Sequence, residues 1–562
     1  MRGIVIAAGL VLLAPFAASA QTLERPVRLV LQITVDQLRG DLIDRYAAGF
    51  GTNGFRRLLK DGAFYVNAHH RHANTETVVG HTTLSTGADP AVHGMVANVW
   101  LNRATGELNY NVQDANYPLV GEGGGVDVKT EIDPTQRLAT TQGRSPRSIQ
   151  TTTIGDEIAL SLGPNAKVFG VSIKDRGAIA MAGHAGKAYW FSKSEGRMVT
   201  STFYMNAYPD WVEAWNAKGV PASYANTSWE LLAEPSTYIF GDADDMPWET
   251  DFPGYGRTFP HAYGPANGKY FTTLLTVAPA GDEIVLDFAK ALMAAEKIGA
   301  DKVTDYLSIS FSSTDYVGHF FGPSSLESED NLHRLDRTLA KLLAHVDKTV
   351  GLDRTLVVLS ADHGASEAPG YLNSLGIGGS NFNFDAIDRS EAIAALKAEF
   401  GVAEELVDQF FQPYLYLNRK AIEARGLDLA VVSRRVAEEL RKFPGIDYAV
   451  SSQDLRAGAV ARTSITNAVL ANFHKDRSGD IYVVFEPHWF VADFDGQSVT
   501  GSHGSPWIYD THVPVIWMGR GIKAGRIGRR VETVDVAPTI AAYLRVRYPS
   551  GTRGQVLKEV AN

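Results

Sequence analysis

The amino-acid sequence predicts an α/β fold: a mostly parallel central sheet flanked by helices on both faces, with capping insertions. Three observations carry that prediction. Short β-branched runs alternate with longer helical patterns along the chain. The runs are largely apolar, as strands buried on both faces must be. Each run ends at or shortly before a charged residue of a kind that does chemistry, and open α/β sheets bind ligands beyond the carboxyl ends of their strands.

Residues 27–35 (VRLVLQITV) read as the first strand and stop at Asp36. Residues 167–173 (KVFGVSI) form a second run that leads into Lys174, 306–311 (YLSISF) a third just ahead of Asp315, and 355–359 (TLVVL) a fourth just ahead of Asp362. Helical patterns cover 154–162, 284–297 and 329–350. Two stretches break the alternation. Residues 195–275 are rich in Tyr, Trp, Pro, Gly and Asp, including Trp211, Trp215, Trp229 and Trp248, and residues 366–500 hold further helices and a strand at 481–485. Both read as insertions in a single catalytic domain over 21–562. They either cap the site or pack only at the periphery.

The chain has 562 residues, 45% hydrophobic and 21% charged, enough apolar material for a large core. Its 53 basic and 63 acidic residues give a net charge of −10 with no long basic run. That argues against duplex nucleic-acid binding and requires any anion site to be locally positive. Residues 1–20 join one basic residue, an apolar stretch and Ala-Ser-Ala20, the pattern of a secretory signal cleaved after Ala20. The apolar run falls short of the roughly 18 residues of a spanning helix, and no later segment is apolar enough to cross a membrane. With no cysteine, a lipoprotein anchor, disulfides and thiolate metal sites are all excluded. A periplasmic or secreted protein, without a membrane anchor and monomeric, is expected.

Without thiolates, zinc is held by His nitrogens and carboxylate oxygens. Asp315 and His319 stand four residues apart, on one face if helical; Asp362 and His363 are adjacent at a strand end; His503 lies in a glycine-rich loop. Each alone has an ordinary structural explanation, but three His and three Asp placed at strand ends point to metal chemistry. The segment Thr75-Glu76-Thr77-Val78-Val79-Gly80-His81-Thr82-Thr83-Leu84-Ser85-Thr86-Gly87 runs on through His93-Gly94 to Asn98. Its threonines are ordinary helix caps unless a metal or base activates one of them.

These residues resemble the alkaline phosphatase superfamily, in the branch shared by nucleotide pyrophosphatase/phosphodiesterases and PafA-type bacterial alkaline phosphatases. The likeness spans most of the chain, since Thr511-His512-Val513-Pro514 and Asp535-Val536-Ala537-Pro538-Thr539 also match. The resemblance implies an alkaline phosphatase-like fold and two Zn2+ ions. Asp315, His319 and His503 would hold one ion; Asp36, Asp362 and His363, with the Thr77 oxygen, would hold the other. It makes Thr77 the nucleophile of a phospho-threonine pathway and Asn98 a phosphate contact. Ser172-Ile173-Lys174-Asp175-Arg176 looks like the Lys-x-Arg element of the PafA-type monoesterases.

Two cations suit a phosphate monoester, which carries nearly two negative charges, better than a diester. The expected activity is therefore broad hydrolysis of small phosphate monoesters to inorganic phosphate. A phosphodiesterase or nucleotide pyrophosphatase on the same core is the alternative, and a non-catalytic phosphate-ester binder is a weaker one. The threonine nucleophile disfavours a sulfatase, and the export signal disfavours a phosphoglycerate mutase. His69, His70 and His72 match no ligand position. His81 and His93 read as support or packing, His184 has no assignable role, and His333 and His345 read as surface residues.

Overall fold

In the computed structural model, which describes residues 27–384, 387–494 and 497–561, the apolar runs are strands of one sheet. The expected export signal over residues 1–20 lies outside the described residues. The main-sheet strands are β1 (Leu29–Val35), β2 (Ala63–His69), β3 (Val168–Ser172), β4 (Lys187–Ser192), β5 (Arg197–Val199), β6 (Asp305–Phe311), β7 (Thr355–Ser360), β8 (His512–Met518), β9 (Gly525–Ile527) and β10 (Val531–Glu532). They lie in the order β9-β2-β8-β7-β1-β6-β3-β4-β5, with β10 also beside β2. The five strands from β7 to β4 are parallel, and β8 and β5 are antiparallel to their neighbours β7 and β4.

β1 shows why an apolar run was needed. Leu29, Leu31, Ile33 and Val35 pack on one face with Ile284 and Phe288 of α4 (Pro279–Ala295) and Leu335 and Leu339 of α6 (Leu326–Thr349). Val30 packs on the other face with Ile154 and Ile158 of α2 (Ile154–Leu162) and Ile540 of α7 (Val536–Leu544). α2 starts where a capping box joins Thr153 to Asp156, so two otherwise unpaired backbone donors are satisfied locally. α4 starts five residues earlier than the pattern suggested, at Pro279, whose missing N–H costs nothing at a first helical position.

Register brings the chemistry together. Val35 pairs with Phe311, Thr34 with Ser360 and Ser310 with Ser172, so four parallel strands end side by side. Asp36, Lys174, Asp315 and Asp362 leave the sheet at that common edge. Lys174 immediately precedes α3 (Asp175–Ala182), and Asp315 and His319 lie on α5 (Ser313–Phe321). The helix α1 (Thr77–Thr86), all ten of whose residues are buried, lies across the same edge.

The insertions differ from expectation in their bounds. The first begins after Val199, because β5 within it belongs to the main sheet. Trp211 and Trp215 of this stretch pack on Phe288 of α4, away from the strand ends. The second builds its own four-stranded sheet from Val407–Phe411, Tyr414–Leu417, Ile481–Phe485 and Ile446–Ser451. It reaches the strand ends through Gln412, which donates to the carbonyl of His503 at 2.9 Å.

α1 can press onto the end of β7 because Gly80 has no side chain: a Cβ there would lie 1.9 Å from the Asp362 carbonyl oxygen. Gly80→Ala must push the helix away or distort Asp362. The expected result is a loss of about 1–3 kcal/mol in denaturant unfolding, with loss of whatever activity depends on the distance from Thr77 to Asp362.

Candidate active site

Thr77 is the first residue of α1, where unpaired N–H groups and the helix dipole favour negative charge. Its hydroxyl is flanked by two buried cations. Lys174 Nζ lies 3.4 Å and Arg176 Nη2 3.3 Å from Thr77 Oγ1. Asn98 is hydrogen-bonded to the start of the same helix. Its Oδ1 accepts from the Val78 N–H at 3.2 Å, which leaves its NH2 group as the part able to donate to a ligand. Its backbone N–H donates to Glu76 Oε2 at 2.6 Å, a carboxylate also held by Asn74 Nδ2 at 3.0 Å. His81, one turn along α1, places Nδ1 2.9 Å from the Thr77 carbonyl and 3.0 Å from Asp362 Oδ2, and its Nε2 2.8 Å from Ser310 Oγ.

The six expected ligands converge around these groups. Asp315, His319 and His503 offer atoms all within 4.8 Å of one another, as do Asp36, Asp315 and His363. Asp315 thus faces both groups. Asp362, expected with Asp36 and His363, accepts from the Gln37 N–H at 3.1 Å, while its Oδ2 stays 3.5 Å from His363 Nε2.

The hydrogen bonds behind the histidines fit a metal centre. Nδ1 of His319, His363 and His503 lies 2.8, 2.9 and 2.8 Å from the carbonyls of Gly501, Gly364 and Thr75. A carbonyl only accepts, so each Nδ1 carries the proton and each Nε2 presents its lone pair. Those lone pairs face carboxylates: His319 and His503 at 3.3 and 3.5 Å from Asp315 Oδ1, and His363 at 3.5 Å from Asp36 Oδ1. His363 Nε2 and Asp36 Oδ1 are buried with no hydrogen-bond partner among the described residues, while Asp36 Oδ2 meets only the Lys174 ammonium, at 2.9 Å. Electron-rich atoms turned toward one another in a buried pocket are what a cation requires.

The electrostatics follow from the same crowding. Burial, reinforced by Asp362, pushes the Asp36 carboxyl well above the usual carboxylate range, despite Lys174 Nζ at 2.9 Å. Burial also acts to raise Asp315, but its ion pair with Lys174 and the nearby His319 hold it well below that range. Burial would lower His319, yet Asp315 prevails and raises it, so a proton competes with a metal ion for this Nε2. Burial keeps His503 and His363 low, which leaves their lone pairs free.

Several contributors had no local signal in the sequence. Asp133 Oδ2 pairs with Arg176 Nη1 at 2.6 Å and so turns the other guanidinium nitrogen toward Thr77. The Tyr110 hydroxyl lies 3.3 Å from the same Nη1 and donates to Asp175 at 2.6 Å. Lys193, paired with Glu131, donates to the Tyr316 hydroxyl at 2.8 Å. The Lys193 and Lys174 ammonium groups both lie near the Tyr316 ring, at 4.8 and 5.0 Å from its centre. Asp133-Pro134 does carry a helix-start signal, and Asp133 caps that turn, but nothing local points to Arg176.

The other histidines are support. His70 and His72 are buried 3.2 Å apart and hydrogen-bonded; His93 and His72 both reach Thr83. His333 is buried, contrary to expectation, because Tyr46, Phe50 and Tyr238 cover the start of α6. His345 is half-buried.

The family model described as type I phosphodiesterase / nucleotide pyrophosphatase matches residues 30–506. Alkaline phosphatase PafA of Elizabethkingia meningoseptica is 33% identical over 549 residues, covering 97% of this chain and 96% of that protein. A Myroides odoratus protein named calcium-transporting ATPase is 34% identical over 545 residues, covering 96% of each. The crystal structure of wild-type PafA superimposes with a TM-score of 0.86 at 32% identity, covering 96% of this chain and 99% of that one. Among the described residues no helix is long and apolar enough to cross a membrane.

The Asp133–Arg176 pair yields a pH-dependent prediction. Burial acts to raise the Asp133 carboxyl, but Arg176, then Lys193 and Lys174, hold it well below its ordinary 3.8. A depressed carboxyl contributes stability that is present above the unfolded value and is lost as pH falls toward the folded one. Asp133→Asn keeps a capping side chain but leaves Arg176 without its carboxylate. It should cost about 3–5 kcal/mol at neutral pH. In denaturant titrations the gap to wild type should hold down to about pH 4 and narrow below it.

Proposed function

Because the chain belongs to the type I phosphodiesterase / nucleotide pyrophosphatase family, with PafA-type alkaline phosphatases as its full-length relatives, we propose that it hydrolyses phosphate monoesters through Thr77. The observation that carries this reading is the pair of buried cations within 3.4 Å of the Thr77 hydroxyl. A monoester brings nearly two negative charges and three terminal oxygens, and Lys174 and Arg176 meet both needs. A diester offers one charge and a second organic group, for which the two side chains leave less favourable ground.

Asp315, His319 and His503 would hold one ion, and Asp36, Asp362 and His363, with Thr77, the other. An all His-and-carboxylate donor set suits zinc. When bound, two such ions supply Lewis-acid charge at the reacting oxygens and lower the pKa of a coordinated hydroxyl. The chain does the rest. α1 directs the Thr77 oxygen from the helix's positive end toward phosphorus. The new Thr77 O–P bond forms as the ester O–P bond breaks, and the leaving oxygen departs on the opposite side. Arg176, Lys174 and the Asn98 NH2 group stabilise the charge on the terminal oxygens. Water then attacks the phospho-threonine, releasing inorganic phosphate and restoring the hydroxyl. Residues 1–20 would direct export and be removed, and a single catalytic domain over 21–562 would carry both excursions.

A panel of aryl phosphate, the matching diaryl diester and aryl sulfate on one zinc-loaded preparation tests the reading. The monoester should be cleaved fastest, and faster diester cleavage would sink the proposal. Arg176→Ala should lower monoester kcat/KM by about 10²–10³-fold and diester kcat/KM much less. Thr77→Ala should abolish turnover. Chelation should remove activity and zinc should restore it; activity indifferent to chelation would refute the metal assignment.

A further inference from the structure

One strained residue stands between the two ligand groups. Gln37 follows Asp36 and adopts φ 66°, in the left-handed region that side-chain-bearing residues avoid. It is buried. Its backbone N–H donates to Asp362 Oδ1 at 3.1 Å, and its side-chain Nε2 donates to Asp315 Oδ1 at 2.9 Å. On the two-ion reading these carboxylates belong to different sets, Asp362 with Asp36 and His363 and Asp315 with His319 and His503, and Asp315 also faces Asp36 and His363. The main chain of one residue therefore holds Asp362 while its side chain holds Asp315.

The opposite wall is shaped for that amide. Gly318 lies on α5 between Asp315 and His319, and a Cβ there would come 1.8 Å from Gln37 Oε1. Any side chain at 318 would displace the glutamine. Glycine adopts this φ without strain. Gln37 keeps a side chain in spite of the strain, and that side chain ends on a ligand.

We propose that Gln37 is a positioning residue that fixes the spacing of the two metal ions by tying Asp362 to Asp315, an inference that rests on the two-ion reading above. Residues that hydrogen-bond metal ligands commonly govern affinity without touching the metal. Gln37→Gly removes the amide and relieves the φ strain. Gly318→Ala leaves Gln37 in the chain but denies its amide room. The two substitutions should loosen the ions alike, although only Gln37→Gly relieves the strain at position 37.

The test uses the full-length, zinc-loaded protein. Ions retained are measured against graded chelator, the visible spectrum is recorded after cobalt replacement, and melting temperature is read in excess chelator. Gln37→Gly should bind at least one ion about 10- to 100-fold more weakly and show an altered cobalt spectrum. It should melt no lower than wild type in chelator. Gly318→Ala should reproduce the affinity loss. Wild-type retention of both ions with an unchanged spectrum in Gln37→Gly would overturn the inference. So would a fall in its chelator melting temperature that accompanies the ion loss, since that marks a structural role. Wild-type protein that retains fewer than two ions would overturn the two-ion reading and this inference together.

Discussion

The constraint on which the site depends is the burial of three carboxylates, Asp36, Asp315 and Asp362, at one edge of a parallel sheet. Buried anions this close are tolerable only if cations answer them. Lys174 answers Asp36 and Asp315 directly, the three histidines turn electron-rich nitrogens toward the same space, and His81 and Gln37 hold Asp362 from behind. Thr77 sits where this excess of negative groups meets the cationic pair. On the proposed reading it needs no unusual property of its own; its surroundings supply the activation.

That arrangement is possible because of register. The parallel strands β7, β1, β6 and β3 end level with one another, so residues separated by more than three hundred positions leave the sheet together. Close approach then completes the centre. α1 lies on the Asp362 backbone at Gly80, and Gly318 admits the Gln37 amide. Both glycines act by absence of volume.

Much of this was legible in the sequence, for definite reasons. A strand buried on both faces must be apolar nearly throughout, so β1, β3, β6 and β7 showed within two residues of their observed ends. Their ends pointed to Asp36, Lys174, Asp315 and Asp362 because strand ends are where side chains can converge. β5 was missed because three residues at an antiparallel edge carry no period. His333 was misplaced because a helix's own pattern marks the face toward the sheet, while a distant loop covered its other side. Asp133 and Gln37 escaped for a related reason. An ion pair across 43 residues leaves no local trace, and glutamine has no preference for positive φ that would announce the conformation.

The placement of Lys174 has one more consequence. Its ammonium addresses the Asp36 and Asp315 carboxylates, groups that a metal ion would also seek. On the proposed reading, ions at those carboxylates weaken their hold on Lys174 and leave its charge available to a phosphoryl oxygen. Arg176 is different: Asp133 holds it from the side remote from Thr77, outside both ligand sets. One cation is thus tied to the Asp36 and Asp315 carboxylates and the other is fixed independently of them. On the proposed reading, recognition of a dianion depends on those carboxylates through Lys174, and on the loop that carries Asp133 through Arg176. That loop lies far from the main sheet's strand ends in sequence, and its Asp133 carboxylate turns the guanidinium toward Thr77.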